Sequence, residues 1–231
     1  MNTIAPAPSL QILVVDDSAT SRVVIEKQLK KLGCKVAMAQ DGTAGLAALQ
    51  EGEFDLVLLD CQMPDMSGYD VAKIFRRRER EEELVHTPII AISAETDTGH
   101  MQLCLDSGMD GVLGKPLPVD ELKKMLSMWC DVDVTDAAPM YIDDMRSVDL
   151  TALFRTTSLE DFAALRAAMD EADMTSVGRL AHRMKGAALT MAAGEIVRTL
   201  ERIEAIAVHR AQPPSDLSAE VSVLERQLQS I

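Results

Sequence analysis

Residues 11–17 (QILVVDD) and 55–60 (DLVLLD) each run through consecutive apolar side chains and stop on carboxylates. A strand with one wet face alternates polar and apolar residues, whereas an uninterrupted apolar run needs cover on both faces. The strands read from this pattern are Gln11–Val15, Lys35–Ala39, Asp55–Leu59, Ile89–Ile92 and Gly111–Gly114. Segments of helical period separate them. Ile25, Leu29 and Leu32 share a face that stops at Gly33, and Leu122, Met125, Leu126 and Trp129 repeat the pattern later. Five such units over residues 10–129 predict an α/β, doubly wound, five-stranded parallel sheet.

The rhythm breaks after residue 129. Residues 130–147 hold five acids, one base and a proline without periodicity, and read as an acidic linker. From 148 to 231 strands give way to helices, predicting an all-α four-helix bundle. Ser158-x-x-Asp161 reads as a capping box heading a first helix from about Leu159 to Ala172. That helix is short, which would leave the top of the bundle incompletely covered. Asp173 can cap a second helix, whose stripe is Val177, Leu180, Ala181, Met184, Ala188 and Met191. A third runs from Gly194 to about Val208, and Pro213-Pro214 separates it from a fourth bearing Leu217, Val221, Leu224, Leu228 and Ile231. Residues 1–9 carry no signal-peptide pattern and read as a disordered terminus. The run Arg76–Glu83 (RRREREEE) reads as a solvated helix face.

Composition excludes several classes. Thirty-seven acids against 23 bases give a net charge of −14, which disfavours nucleic acid and a polybasic membrane contact. No apolar run approaches the ~18 residues of a membrane span. Cys34, Cys61, Cys104 and Cys130 form no C-x-x-C and pair with no histidine, so reduced thiols in a cytoplasmic protein are expected rather than zinc or disulfides.

Ligands of open α/β sheets bind at the carboxyl edge of the strands. Asp16 and Asp17 follow the first strand, Asp60 ends the third, Ser93 follows the fourth and Lys115-Pro116 the fifth. Three crowded carboxylates repel unless a cation joins them, and a hard Mg²⁺ ion suits their oxygens. With an ammonium and a hydroxyl added, such a site can hold a phosphoryl group transferred to a carboxylate.

Together VVDDS, LLDCQMPDMSGYD, IIAISAE and GMDGVLGKPL resemble the receiver domain of two-component response regulators and hybrid sensor kinases, over roughly residues 10–129. The resemblance implies a flavodoxin-like fold with Asp60 as phosphoacceptor. It also implies Mg²⁺ held by Asp16, Asp17, Asp60 and the Gln62 backbone carbonyl, with Ser93 and Lys115 on the phosphoryl group and a cis bond before Pro116. Acids merely ending strands would explain one of these positions but not the set. An aspartate-nucleophile phosphatase of the haloacid dehalogenase type wants a second Asp two residues after the nucleophile, where Gln62 stands. The aromatic that often precedes the lysine by three residues in receivers is Val112 here, which favours a relay domain over one driving its own effector.

His182 lies in LAHRMKGAA about 140° from the core stripe centred on Met184 and Ala188, hence on the solvent side of its helix. Gly178 and Gly186 stand one turn to either side, each costing roughly 1 kcal/mol relative to Ala, as though something must approach closely. This segment resembles the histidine phosphotransfer (HPt) domain. The resemblance implies His182 as a second phosphoacceptor and Lys185 as a phosphate partner, whereas His86, His100 and His209 read as surface residues without a role.

The expected function is phosphorelay signal transduction. A sensor histidine kinase, in cis or in trans, is the donor to Asp60, and His182 carries phosphoryl to or from a further receiver. The chain holds no ATP-binding kinase motif, so it reads as a phosphotransfer module rather than an enzyme, freestanding or the C-terminal part of a hybrid kinase. The alternative is a phosphorylation-controlled binding protein whose bundle only docks or dimerises. Whether transfer between the two sites is within one chain stays open from sequence.

Overall fold

A computed structural model describes residues 10–130, 149–209 and 214–231. The readings made for residues 1–9 and for 131–147 of the acidic linker lie outside the described residues, as does the side chain of His209.

Strands β1 (Gln11–Val15), β2 (Lys35–Ala39), β3 (Leu56–Asp60), β4 (Ile89–Ser93) and β5 (Gly111–Gly114) alternate with helices α1 (Ala19–Lys31), α2 (Gly42–Glu51), α3 (Gly68–Glu81), α4 (Thr98–Asp106) and α5 (Val119–Cys130). The sheet is parallel throughout, in the order β2-β1-β3-β4-β5. Every residue of β3 and β4 is buried, as the unbroken apolar runs require. Ile12, Val14, Leu56 and Leu58 face α1 and α5, where they meet Ile25, Leu29, Leu122 and Leu126. Leu13, Val15, Val57 and Leu59 face α2, α3 and α4, where they meet Leu49, Val71, Phe75 and Cys104. The strand order reverses between β1 and β3, so the crevice outside their carboxyl ends is the natural ligand position.

Helices α6 (Leu150–Asp170), α7 (Met174–Thr190), α8 (Gly194–His209) and α9 (Pro214–Gln229) bury Phe154, Phe162, Leu180, Met184, Leu200 and Leu224 in a common core. Asp173 caps α7 through the Ser176 amide, as read. The start of α6 differs from expectation. Asp149 is its cap, accepting from the Thr151 and Ala152 amides at 3.0 and 3.1 Å, and Ser158 is buried in mid-helix. Phe154 lies in phase with Ser158, Phe162 and Leu165, and burying that continuous stripe outweighs a local capping pattern. The first bundle helix therefore has 21 residues, and the expected gap in its cover does not arise.

The charge run in α3 also differs from a solvated face. Arg76 and Glu79 are buried. Arg76 donates to the Gly108 carbonyl at 2.7 Å and to Glu79 and Asp110 at 2.6 Å each. Asp110 Oδ2 accepts in turn from the Ile89 amide at 2.7 Å, so this network ties α3 to the start of β4 and the turn before β5. Arg77, Arg80, Glu81, Glu82 and Glu83 are exposed, as read.

The two units touch. Helix α1 packs across α6 and α7, with Thr20 Oγ1 3.2 Å from Thr157 Oγ1 and Ser21 Oγ 3.3 Å from Thr190 Oγ1. Thr20 and Ser21 are fully buried; small hydroxyl side chains let the helices approach and pair across the contact. No helix among the described residues is long and apolar enough to cross a membrane.

Removing the Arg76 guanidinium would leave the buried Glu79 and the half-buried Asp110 without the cation that joins them. Arg76→Ala should lower unfolding free energy by about 3–5 kcal/mol in urea titration, against under about 0.5 kcal/mol for Arg77→Ala.

Candidate functional site

The carboxyl ends of β1 and β3 bring Asp16, Asp17 and Asp60 together, with one carboxylate oxygen of each within 4.8 Å of the others. Lys115, delivered by the turn after β5, places Nζ 2.8 Å from Asp16 Oδ2 and 2.6 Å from Asp60 Oδ2. The Lys115–Pro116 bond is cis, as the resemblance implied. Asp16 Oδ1 accepts from the Ser18 amide at 2.8 Å, and Asp60 Oδ1 from the Gln62 amide at 3.1 Å. Ser93 is the last residue of β4, buried beside Asp60, and its hydroxyl accepts from the Glu95 amide at 3.1 Å. Gly68 allows the loop after Asp60 to fold back: a Cβ there would lie 2.1 Å from the Asp60 carbonyl oxygen.

Three carboxylates against one ammonium leave the pocket anionic. Burial, then Asp60 and Asp16, push the Asp17 carboxyl up to about 7. Burial likewise raises Asp16, with Asp60 adding to it, against the opposing pull of Lys115. Burial opposes the charge on Lys115, but Asp16 and Asp60 outweigh it and hold the ammonium well above its ordinary range. Asp16 Oδ2 is buried and, apart from the Lys115 ammonium, accepts from no group among the described residues. An oxygen in that state, beside two further carboxylates, fits a hard divalent cation.

His182 projects from α7 beside Glu204 of α8, with Nδ1 2.8 Å from Glu204 Oε1. A carboxylate only accepts, so Nδ1 carries a proton, and in the neutral ring Nε2 keeps its lone pair. The other Glu204 oxygen accepts from Lys185 Nζ, and Lys185 is buried. Burial works against ionised Glu204, yet the hydrogen bonds and charges of His182 and Lys185 prevail and hold its carboxyl below the usual range. Lys185, expected to await a phosphate, is thus joined to Glu204. Sequence reasoning missed Glu204 entirely. Its only trace is an acid on the polar side of α8, and the pairing of α7 with α8 exists only in the packed bundle.

The solvent-side placement of His182 becomes, in the structure, a side chain with 12% of its surface exposed. The face it shares is turned toward the first unit. Arg183, next in sequence, places Nε 4.0 Å from Asp17 Oδ2 while also bonding Asp161 of α6. Gly186, one turn on, lies over the acidic pocket, where a Cβ would stand 3.4 Å from Lys115 Nζ. Gly178 serves a different approach, since its Cβ would meet Ala207 of α8 at 3.4 Å. A cleft of about 1060 Å³ separates the units, lined by Gln62, Met63 and Glu95 on one side and Arg179, His182 and Glu204 on the other. His100 is buried rather than a surface residue. His86 is exposed and lies 2.9 Å from Asp110.

The response regulator receiver domain family matches residues 12–127, and the Hpt domain family residues 149–231. The chain is 31% identical over 259 residues to the virulence sensor protein BvgS of Bordetella pertussis strain Tohama I, an alignment covering 97% of this chain and 21% of BvgS. It is 40% identical over 126 residues to the aerobic respiration control sensor protein ArcB of Escherichia coli K12, covering 54% of this chain and 16% of ArcB. The chain therefore spans about a fifth or less of these curated relatives. Among solved structures it is similar to the co-crystal of the Saccharomyces cerevisiae histidine phosphotransfer signaling protein Ypd1 with the receiver domain of Ssk1. That likeness is one of fold, with a TM-score of 0.50 and 22% identity over 62% of this chain and 97% of that one. A carboxylate pocket on a 2-1-3-4-5 parallel sheet, an imidazole on a four-helix bundle and these two matches agree: the chain belongs to the response regulator receiver family, with an Hpt domain following the receiver, the pairing used in phosphorelay signalling.

Proposed function

We propose that Asp60 receives a phosphoryl group from a kinase phosphohistidine and that His182 takes it from Asp60 within the same chain. One observation carries the second half: α7 sits on the acidic pocket with Arg183 facing Asp17 and Gly186 over Lys115, one and four residues after His182.

In this reading Asp16, Asp17, Asp60 and the Gln62 backbone carbonyl hold Mg²⁺. When bound, the ion offsets the charge of the carboxylates and of the phosphoryl oxygens. In the first step an Asp60 carboxylate oxygen attacks phosphorus, and the P–N bond to the donor imidazole breaks with its electron pair leaving on nitrogen. Lys115, already 2.6 Å from Asp60, and the Ser93 hydroxyl receive the phosphoryl oxygens. In the second step the His182 Nε2 lone pair attacks phosphorus, and the P–O bond breaks with its electron pair returning to Asp60. Glu204 holds the proton on Nδ1 and stabilises the positive charge that grows on the ring. Lys185 keeps Glu204 in place.

The donor on this reading is a sensor histidine kinase domain, in cis or in trans, and a further receiver accepts from His182. The reading puts the chain in the cytoplasm, in keeping with its four free cysteines, and its net charge of −14 supports neither nucleic acid nor an anionic membrane as partner. The residue bounds 10–129 and 148–231 serve as the domain limits.

Labelled phosphoryl tests the route. In His182→Gln, base-labile label should accumulate on Asp60 and none should reach a second receiver. Thr157→Arg, which places a long cation against α1, should slow transfer within the chain at least tenfold while His182 still accepts from a separate receiver. Label passing normally through His182→Gln would refute the assignment.

Glu204→Ala should reduce transfer by roughly 100-fold, as for loss of a group governing proton placement. The imidazole nitrogen resonances of His182 should then show mixed tautomers, a change that mere loosening of the bundle would not produce.

Asp17 has an ordinary pKa of 3.8 and about 7 in the fold, so its ionised form at neutral pH favours the unfolded chain. Asp17→Asn should therefore stabilise the chelator-treated protein, by a few kcal/mol at ~1.4 kcal/mol per unit. The same variant should lose the rise in Tm that Mg²⁺ gives the parent.

A further inference from the structure

A second cluster lies on the other side of β3 from the acidic pocket's metal-facing carboxylates. Cys61 follows Asp60, and its Sγ lies 3.6 Å from Sγ of Cys104 on α4. Cys104 Sγ is in turn 3.6 Å from Nε2 of His100, one helical turn earlier. All three donor atoms fall within 4.8 Å of one another, and all three residues are buried. We propose that Cys61, His100 and Cys104 form a binding site for a thiophilic divalent cation, Zn²⁺ being the type, with a fourth position open to the cleft between the units.

The distances carry the argument. Zinc bonds sulfur at about 2.3 Å and imidazole nitrogen at about 2.0–2.1 Å, so a tetrahedron sets two sulfurs about 3.8 Å apart and each sulfur about 3.6 Å from nitrogen. The separations of 3.6 Å between the sulfurs and 3.6 Å from Cys104 to His100 match two of these edges, and Cys61 lies within 4.8 Å of the imidazole donor atom. A disulfide would instead require the sulfurs to close to about 2.05 Å.

The surroundings agree. A ligating histidine commonly gives its second ring N–H to an oxygen that fixes the tautomer. His100 Nδ1 lies 3.1 Å from the Tyr69 hydroxyl and 3.9 Å from a Glu95 carboxylate oxygen. With the Nδ1 proton directed there, the Nε2 lone pair faces the thiols. Tyr69, Glu95, Cys61 and His100 line the cleft, which supplies an entry path and room for water as the fourth ligand. Binding displaces the two thiol protons to solvent and leaves a complex of two thiolates, one imidazole and one water. A cation here would clamp α4 to the residue that follows Asp60.

Cobalt(II) added to the full, reduced chain tests the site. One equivalent should give a thiolate-to-cobalt charge-transfer band, and Zn²⁺ should displace it. The acidic pocket, with oxygen ligands only, gives no such band, so Asp17→Asn should retain it. Cys130→Ser should retain it too. Cys104→Ser should abolish it, His100→Gln should weaken cobalt binding roughly 100-fold and Tyr69→Phe roughly tenfold. Circular dichroism reports whether each variant is folded; if Cys104→Ser is not, His100→Gln carries the same test. Absence of the band in the reduced parent chain, or its persistence in Cys104→Ser, would overturn the proposal.

Discussion

Crowding of like charge at the carboxyl ends of β1 and β3 is the constraint on which this molecule turns. The parallel sheet must deliver Asp16, Asp17 and Asp60 to one crevice, because the strand order reverses there. Burial removes the water that would screen them, and a single ammonium from Lys115 cannot balance three carboxylates. The fold accepts a destabilising anionic pocket whose relief lies in cations. Arg183 of the bundle supplies one from 4.0 Å away, so the same field that suits a metal also favours the docked bundle.

Small and polar side chains take part in the docking. Thr20 and Ser21 on α1 meet Thr157 and Thr190 through their hydroxyls, and Gly186 leaves space over Lys115. The imidazole is prepared separately. Glu204 sets its tautomer, and Lys185 keeps that carboxylate ionised in a half-buried position. On the proposed relay one unit holds the electrophile's site and the other the nucleophile, each ordered by its own charge network.

The acidic pocket was legible because a strand period of two and a parallel sheet leave little freedom. Once Gln11–Val15 and Leu56–Asp60 are parallel neighbours, the residues that end them must share an edge. The bundle was legible in its stripes but not in the start of α6. There a four-residue capping pattern at Ser158 competed with a continuous apolar face that runs back to Phe154, and packing prevailed. Arg76 shows the opposite failure. Its neighbours in sequence are charged, but its partners Gly108 and Asp110 come from a distant turn, so a residue read as solvated is a buried tie.

By itself the sequence determined the two fold classes, the strand ends that carry Asp16, Asp17, Asp60, Ser93 and Lys115, and the helix that carries His182, because these follow from local periodicity and from motif spacing. Only the tertiary structure decided what each group faces. Glu204 reaches His182 across a helix pair, Arg183 reaches Asp17 across a domain contact, and Cys61 meets His100 and Cys104 across the space between β3 and α4. The reason is geometric. Side chains within one element are related by a fixed period, whereas contact between elements depends on register, tilt and depth of packing, which no short stretch of sequence encodes.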